Sequence, residues 1–214
     1  MDSKIKNKNK KTYLSSLRRS EIKYDISNFS EQFIINKFNL KELYPKREIT
    51  SIYFDTNDFE YFHLSQEGIL PRKKIRIRFY NKGSYNLEIK FQDFSSKIKK
   101  VIKSININNI NEYFLRYGIK EIIKPKIIIN FSRRYFSSYA GRVTIDKDLN
   151  YSFCKQNFFF EGIGKISSNQ KILEIKNDNI NNKVFYSFSD IELKEQRNSK
   201  YCNGIDYLYN NKFI

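Results

Sequence analysis

Short segments in which apolar and charged residues alternate run through most of the chain. The clearest is Lys74 to Phe79, where charged and apolar side chains strictly take turns. Because successive side chains of a β-strand point to opposite faces of a sheet, this alternation predicts strands with one apolar and one charged face. Related patterns recur along the chain. The predicted strands span residues 21–24, 49–54, 74–79, 87–91, 97–99, 126–136, 141–146 and 172–176.

Three stretches have the spacing of helices instead. They are Ser30 to Phe38, Ile110 to Tyr117 and Asn181 to Phe188, and Ser30 is a suitable N-cap for the first. Strands that outnumber separate helices predict an α+β fold with a mostly antiparallel sheet. A length of 214 residues suits one domain, which we place at residues 18–214. Residues 1–17 are polar and rich in lysine, and they predict a basic, disordered arm.

The charged face of the predicted sheet carries charges of both signs. Arg76 and Arg78 share one face, and Ile75, Ile77 and Phe79 share the other. An ordinary half-buried sheet with a solvated outer face would also give this alternation. A barrel with the charged face inward would instead enclose a cationic tunnel, and helices would cover its apolar outside. Charges of both signs recur at two-residue spacing over at least four strands, with arginine in the clearest one. This weakens the first arrangement, but the alternation by itself leaves both open.

The charge balance predicts an anionic partner. The chain has 40 Lys and Arg against 23 Asp and Glu, a formal net charge of +17. Lysine is abundant throughout, so arginine is the better indicator, because its planar guanidinium matches phosphate oxygens. A polyanion-binding protein without catalytic activity would also account for the charge. We see no apolar run of the roughly 20 residues that cross a bilayer and no signal peptide, so we expect a cytoplasmic protein without a transmembrane segment.

Several familiar motifs are absent. The stretch Gly162-Ile163-Gly164-Lys165 lacks the glycine spacing and the following Ser or Thr of a phosphate-binding loop. His63 is the only histidine, and Cys154 and Cys202 have no metal-binding spacing. Any divalent metal would therefore be held by carboxylates, which fits Mg²⁺ or Mn²⁺ better than zinc. No RNA-recognition signature is present, so we expect no specific nucleic-acid partner.

In chain order, a set of segments resembles the VTC catalytic domain, the polyphosphate polymerase branch of the triphosphate tunnel fold. The resemblance covers about residues 18 to 209 and implies an α+β fold, an antiparallel eight-stranded barrel lined with Lys and Arg and with helices packed on its outside. The segments are Arg19-Ser-Glu-Ile-Lys-Tyr24, Ser51-Ile-Tyr-Phe-Asp-Thr56, Lys74-Ile-Arg-Ile-Arg-Phe-Tyr80, Leu87-Glu-Ile-Lys90, Lys97-Ile-Lys99, Phe131-Ser-Arg-Arg-Tyr-Phe136, Arg142-Val-Thr-Ile-Asp146, Ile172-Leu-Glu-Ile-Lys176 and Ser199-Lys-Tyr-Cys-Asn-Gly-Ile205.

This resemblance implies a set of catalytic phosphate contacts. They are Lys23, Arg76, Arg78, Lys90, Lys99, Arg133, Arg142 and Lys200. It also implies substrate contacts at Lys97, Glu21, Glu88 and Ser199, and a metal ligand for Mn²⁺ or Mg²⁺ at Glu174. Arg133 is preferred over Arg134 on the spacing from Phe131. For Glu21 and Glu88, ion pairing with Lys23, Lys90 or neighbouring strands is as open as a metal-binding role. Asp146 is expected to be a turn or ion-pair residue.

The function implied by the resemblance is polyphosphate synthesis from ATP, with ATP and inorganic polyphosphate as partners. A related class on the same fold hydrolyses triphosphates or makes cyclic nucleotides and resembles Glu-x-Glu-x-Lys at the first strand. Arg19 replaces the first of those acids here, which removes a potential metal ligand and favours the polymerase branch. A triphosphatase, or another enzyme of small triphosphates, remains the alternative.

Overall fold

The structure is a computed structural model that describes residues 20–139, 141–155, 158–177, 191, 193 and 195–210. The predicted basic arm at 1–17, Arg19 and the predicted helix Asn181–Phe188 lie outside the described residues.

Strands dominate the described part of the chain. The strands are β1 (Ser20–Asp25), β2 (Lys41–Asp55), β3 (Arg72–Tyr80), β4 (Asn86–Gln92), β5 (Lys97–Ile102), β6 (Lys124–Ser138), β7 (Gly141–Lys155), β8 (Phe158–Ser168) and β9 (Ile172–Asn177). The helices are α1 (Glu31–Lys37), α2 (Glu60–Glu67), α3 (Ile110–Arg116, after a 3₁₀ turn at Ile107–Asn109) and α4 (Lys200–Asn210). Every predicted strand is present, as are the two predicted helices that fall in the described residues. β8, α2 and α4 were not predicted.

All paired strands are antiparallel and form one sheet in the order β1-β9-β7-β6-β2-β3-β4-β5. β7 pairs with β9 along residues 142–146 and with β8 along residues 149–155. Within the described residues, β1 and β5 end the path and do not pair with each other. Glu21 of β1 nevertheless lies close enough to Lys90 of β4 for their charges to interact. The sheet therefore curls into an open barrel, which confirms the predicted fold class and adds β8 as a ninth strand.

Apolar side chains on the convex face of the sheet are covered by α1 and α3. Ile34 of α1 is buried with Val143 and Ile175, and Phe114 of α3 is buried with Ile77. Burial of each such side chain stabilises the fold by about 1.5–3 kcal/mol. These two helices take the place that the resemblance predicted for them, outside the barrel.

α4 lies on the concave side instead, at one end of the barrel. Ile205 and Leu208 are buried with Ile127 and Tyr151, which belong to the concave face of β6 and β7. Gly204 allows this close approach, since a Cβ there would lie 2.5 Å from the Cδ1 atoms of both Ile127 and Tyr151. The helix therefore closes one end of the barrel. No helix of the described residues lies in the opposite end, which we call the open end.

Asp55, at the end of β2, joins α2 and α4 to the sheet. It is completely buried. Its carboxylate accepts hydrogen bonds from the backbone N–H groups of Tyr61 and Phe62, both at 2.9 Å, and from the hydroxyl of Tyr201 at 2.6 Å. The N-cap residue of α2, Phe59, makes no side-chain cap hydrogen bond. Asp55 thus caps α2 from outside the helix and anchors α4 through Tyr201.

Replacement of Asp55 by Ala should lower the free energy of unfolding by about 3 kcal/mol or more. It leaves several buried donors without an acceptor, and each hydrogen bond to a charged group contributes roughly 1.5–3 kcal/mol. Tyr201→Phe removes only one of these hydrogen bonds and should cost about 1–2 kcal/mol. Urea unfolding of both variants would measure the difference. Equal, small losses would show that Asp55 does not join the two helices.

Candidate functional site

The concave face beyond α4 is polar and gathers charged side chains from most strands of the barrel. We call it the cationic face. Its described cations are Lys23, Lys74, Arg76, Arg78, Lys90, Lys99, Arg133, Lys176 and Lys200, and the carboxylates paired with them are Glu21, Glu88, Asp146 and Glu174. The alternation of each strand places these residues on one side, and the curl of the sheet brings distant strands together.

Asp146 forms the most buried ion cluster of the face. Arg133 donates two hydrogen bonds to it, from Nε to Oδ1 at 2.5 Å and from Nη2 to Oδ2 at 2.6 Å. The ammonium of Lys200 lies 2.6 Å from Oδ2. Burial by itself would raise the pKa of Asp146, but the charges of Lys200 and Arg133 outweigh it and lower that pKa. One ionised carboxylate therefore fixes two cations, one from β6 and one from α4.

Glu88 has the same role on the opposite wall. Arg76 donates to Oε2 from Nε at 2.8 Å, and Lys99 lies 3.1 Å from Oε1. Arg76 also donates from Nη1 to the hydroxyl of Tyr53 at 2.6 Å. Burial acts to raise the pKa of Glu88, yet Arg76, Arg78 and Lys99 hold it well below its usual range. The guanidinium of Arg76 is thereby held in one orientation before any ligand binds.

Arg78 and Lys90 are cations of this face that pair with no carboxylate among the described residues. The side chain of Arg78 is 6% exposed, and its Nε donates to Oγ of Ser51 at 3.0 Å. Burial and the neighbouring Arg76 lower the pKa of Arg78. Burial, followed by Arg76, also lowers the pKa of Lys90 to about 7, although Glu21 opposes the shift. A bound anion would offset the cost of these buried charges.

Glu174 and Glu21 lie next to each other on β9 and β1. Glu174 pairs with Lys176 at 2.5 Å and approaches Arg133 at 3.8 Å. Glu21 pairs with Lys23 at 3.1 Å and with Lys176 at 3.4 Å. Burial favours the neutral acid, but Lys176, Arg133 and Lys23 lower the pKa of Glu174, so it is ionised.

Glu174 and Glu21 together offer two carboxylates to a metal ion. Within the described ranges, no three His, Cys, Asp or Glu side chains cluster as metal ligands would. Mg²⁺ commonly binds through one or two carboxylates together with substrate phosphates and water. Glu174, with Glu21 beside it, therefore fits a metal that arrives with a phosphate ligand.

Three predicted residues lie at the margin of the cationic face. Lys97 is exposed at the start of β5. Arg142 is exposed and lies opposite Lys176, toward the open end of the barrel. Ser199 accepts a hydrogen bond from the ammonium of Lys74 at 2.8 Å and another from the backbone N–H of Cys202 at 3.4 Å. It therefore caps the start of α4 as well as facing the barrel.

Sequence reasoning missed four members of the face: Lys74, Lys176, Ser51 and Tyr53. Each lies inside a quoted segment, and two-residue spacing from Arg76 or Glu174 would have identified both lysines. Ser51 and Tyr53 have no charge, so only their contacts with arginine reveal them.

The neighbouring residues Arg133 and Arg134 lie on opposite faces of β6. Arg134 points to the convex side and pairs with Glu31 of α1 at 2.8 Å. Arg133 is therefore the arginine of this pair that belongs to the cationic face.

Three solved structures with a similar fold are 12–15% identical to this chain. A candidate adenylate cyclase from Bacillus halodurans has 13% identity and a TM-score of 0.52, with 84% of this chain and 92% of that chain covered. A candidate adenylate cyclase from Vibrio parahaemolyticus has 12% identity and a TM-score of 0.50, with 85% and 94% covered. A protein from Pyrococcus horikoshii OT3 has 15% identity and a TM-score of 0.50, with 88% and 99% covered.

These likenesses establish the architecture, which is the triphosphate tunnel fold. No curated protein matches the chain significantly. In the part of the chain that the structure describes, no helix has the length and apolar character to span a membrane.

The family comparison covers nearly the whole chain. The model of the VTC domain family matches residues 6–209. This range includes every quoted segment and every residue of the cationic face. The chain therefore belongs to the VTC domain family.

Proposed function

We propose that this protein is a polyphosphate polymerase, which transfers the γ-phosphoryl group of ATP to the end of a growing polyphosphate chain. The observation that carries the proposal is the excess of positive charge on the cationic face: among the residues that the structure describes, buried Arg78 and half-buried Lys90 pair with no carboxylate. Unpaired buried charge is costly to the folded protein. A triphosphate or polyphosphate supplies the matching negative charge along an extended ligand.

The reaction needs alignment and charge neutralisation. A terminal oxygen of the polyphosphate attacks the γ-phosphorus of ATP, the bond from that phosphorus to the β,γ-bridging oxygen breaks, and ADP leaves. The chain grows by one phosphate. Arg76, Arg133 and Lys200 are held in place by Glu88 and Asp146. Cations fixed in advance stabilise the charge that develops on the phosphoryl oxygens without reorganising during the reaction.

The state of the carboxylates favours an anionic acceptor over water. Glu21, Glu88, Asp146 and Glu174 are all ion-paired, and the pKa of each is lowered because neighbouring cations outweigh the effect of burial. A carboxylate with a lowered pKa is a weak general base at neutral pH. Hydrolysis requires a proton to be removed from water, whereas the terminal phosphate is already ionised.

Incubation with ATP and Mn²⁺ distinguishes the polymerase from a triphosphatase. A polyphosphate ladder supports polymerisation, and orthophosphate alone supports a triphosphatase.

Glu174 is the residue we propose as the ligand of Mn²⁺ or Mg²⁺, with Glu21 beside it. The metal, when bound, neutralises charge on the phosphate oxygens. The rest of the site consists of the protein's own cations.

Arg78→Met should lower polymerisation at least about 100-fold, the loss typical for removal of one fixed donor to a transition state. The folded protein should be as stable as wild type or more stable, because burial and Arg76 disfavour the charged form of Arg78. Polyphosphate yield and urea unfolding measure the two effects. Arg134→Met is the matched control on the convex face, and it should keep nearly full activity. Wild-type activity of the Arg78 variant would exclude the proposed site.

Glu174→Gln should reduce activity and raise the Mn²⁺ concentration needed for half-maximal rate. The amide retains the size of the side chain but loses the negative charge that a metal ion requires. A Mn²⁺ titration of the initial rate is the measurement. Glu88→Gln serves as the comparison, because Glu88 is equally buried but is held by Arg76 and Lys99. It should lower the rate without changing the Mn²⁺ requirement. An unaltered titration for the Glu174 variant would exclude its metal role.

Affinity for inorganic tripolyphosphate should weaken as the pH rises from about 6 to about 8.5. Lys90 has a pKa of about 7, so it is charged below that pH and becomes neutral above it. Lys90→Arg retains its charge over this range and should show a flatter profile. Calorimetric titration of both proteins at each pH separates Lys90 from the titration of the ligand itself. Parallel profiles would show that Lys90 does not contact phosphate.

A further inference from the structure

Three tyrosines surround one arginine at the open end of the barrel. The guanidinium carbon of Arg47 lies 5.8 Å from the ring centre of Tyr44, 6.0 Å from that of Tyr80 and 5.5 Å from that of Tyr135. The rings of Tyr44 and Tyr135 meet edge to face with centres 5.9 Å apart. We call these four residues the tyrosine cluster. Each ring lies within the range at which a cation is attracted to an aromatic face.

An irregularity in β2 turns Tyr44 and Arg47 toward the same side. Residues three apart on a regular strand point to opposite faces. Here Tyr44 lies opposite Tyr135 and Arg47 lies opposite Arg133, with a shift of register between the two pairs. Arg133 and Tyr135 share the concave face of β6, so both residues of β2 face the concave side too. Bulges of this kind re-aim side chains and are common beside active sites.

The tyrosine cluster continues the cationic face without a break. Tyr80 follows Arg78 by two residues on β3, and Tyr135 follows Arg133 by two residues on β6. Burial raises the pKa of Tyr135; the charge of Arg133 opposes this shift and Tyr80 adds to it. The phenol of Tyr135 therefore lies close both to Arg133 of the cationic face and to Tyr80 of the tyrosine cluster. The cluster therefore lies at the end of the cationic face that is opposite α4.

Much of the aromatic surface in the cluster is accessible. Tyr44 is 51% exposed, and Arg47 is exposed as well. Tyr80 and Tyr135 are partly buried, which fixes their rings against the sheet. A planar ligand can stack on such a surface, and every nucleobase has a face suited to stacking on tyrosine or arginine.

We propose that the tyrosine cluster binds the nucleobase of the nucleoside triphosphate by stacking. The inference rests on the proposed function, because a triphosphate bound along the cationic face leaves its nucleoside at the open end. Stacking depends on the flat face of the base and not on its hydrogen-bonding groups. The site should therefore accept ATP and GTP with similar affinity.

The test is a calorimetric titration of wild-type protein and variants with ATP and with inorganic tripolyphosphate, without divalent metal so that turnover is prevented. Tyr44→Ala should weaken ATP binding by about 5- to 150-fold, the range expected for loss of one stacking partner. Tripolyphosphate, which has no base, should bind the variant as it binds wild type. Tyr44→Phe should bind ATP normally, because stacking needs the ring and not the hydroxyl.

Phe94→Ala is the matched control. Phe94 is an exposed aromatic residue in the turn between β4 and β5, away from the open end, and its loss should change neither affinity. If wild-type protein binds neither ligand, the proposed function itself fails. If both ligands bind wild type but Tyr44→Ala changes ATP and tripolyphosphate binding equally, or changes neither, the nucleobase site is wrong while the triphosphate site stands.

Discussion

The fully buried carboxylate of Asp146 is the interaction on which the functional face depends. Its oxygens accept hydrogen bonds from Arg133 of β6, and Oδ2 also pairs with the ammonium of Lys200 of α4. Removal of that carboxylate would leave two buried cations facing each other across a gap with little water to screen them. A buried ion pair contributes little net stability, because desolvation offsets the attraction. Its value here is geometric, since it fixes a helix side chain to a sheet side chain.

The short segment at the start of α4 shows how closely that geometry is specified. Ser199 caps the helix and accepts a hydrogen bond from Lys74 of β3, while Lys200 pairs with the buried carboxylate of Asp146. Tyr201 donates to the carboxylate at the end of β2, and Gly204 lets the helix approach the sheet. These four residues thus connect the start of the helix to β2, β3, β6 and β7. Because α4 lies inside the curl of the sheet, it both closes one end of the barrel and contributes the cation of Lys200 to the concave face.

Stability and function oppose each other on the concave face. Glu88 and Asp146 stabilise the cations that they orient, whereas Arg78 and Lys90 have pKa values lowered by burial, which means that their charges are unfavourable in the folded protein. Apolar packing of α1 and α3 on the convex face supplies stability that offsets this cost. The net charge of +17 did not locate the site, because it counts every lysine and arginine of the chain equally. Position, burial and pairing distinguish the cations of the site from solvated lysines elsewhere.

The choice of Arg133 over Arg134 rested on its spacing from Phe131, and most of the site cations came from the family resemblance. Alternation along the chain was enough to predict eight of the nine strands and the face that Arg76 shares with Arg78. These follow from the two-residue period of a strand, which is a local property. The order of the segments was enough to indicate the family. The place of α4, the pairing of β8 with β7 and the exposure of Arg142 came only from the tertiary structure. So did the turning of Tyr44 and Arg47 to one side. Each of these depends on register and curl, which are decided by contacts between residues far apart in the chain and leave no periodic signal in the sequence.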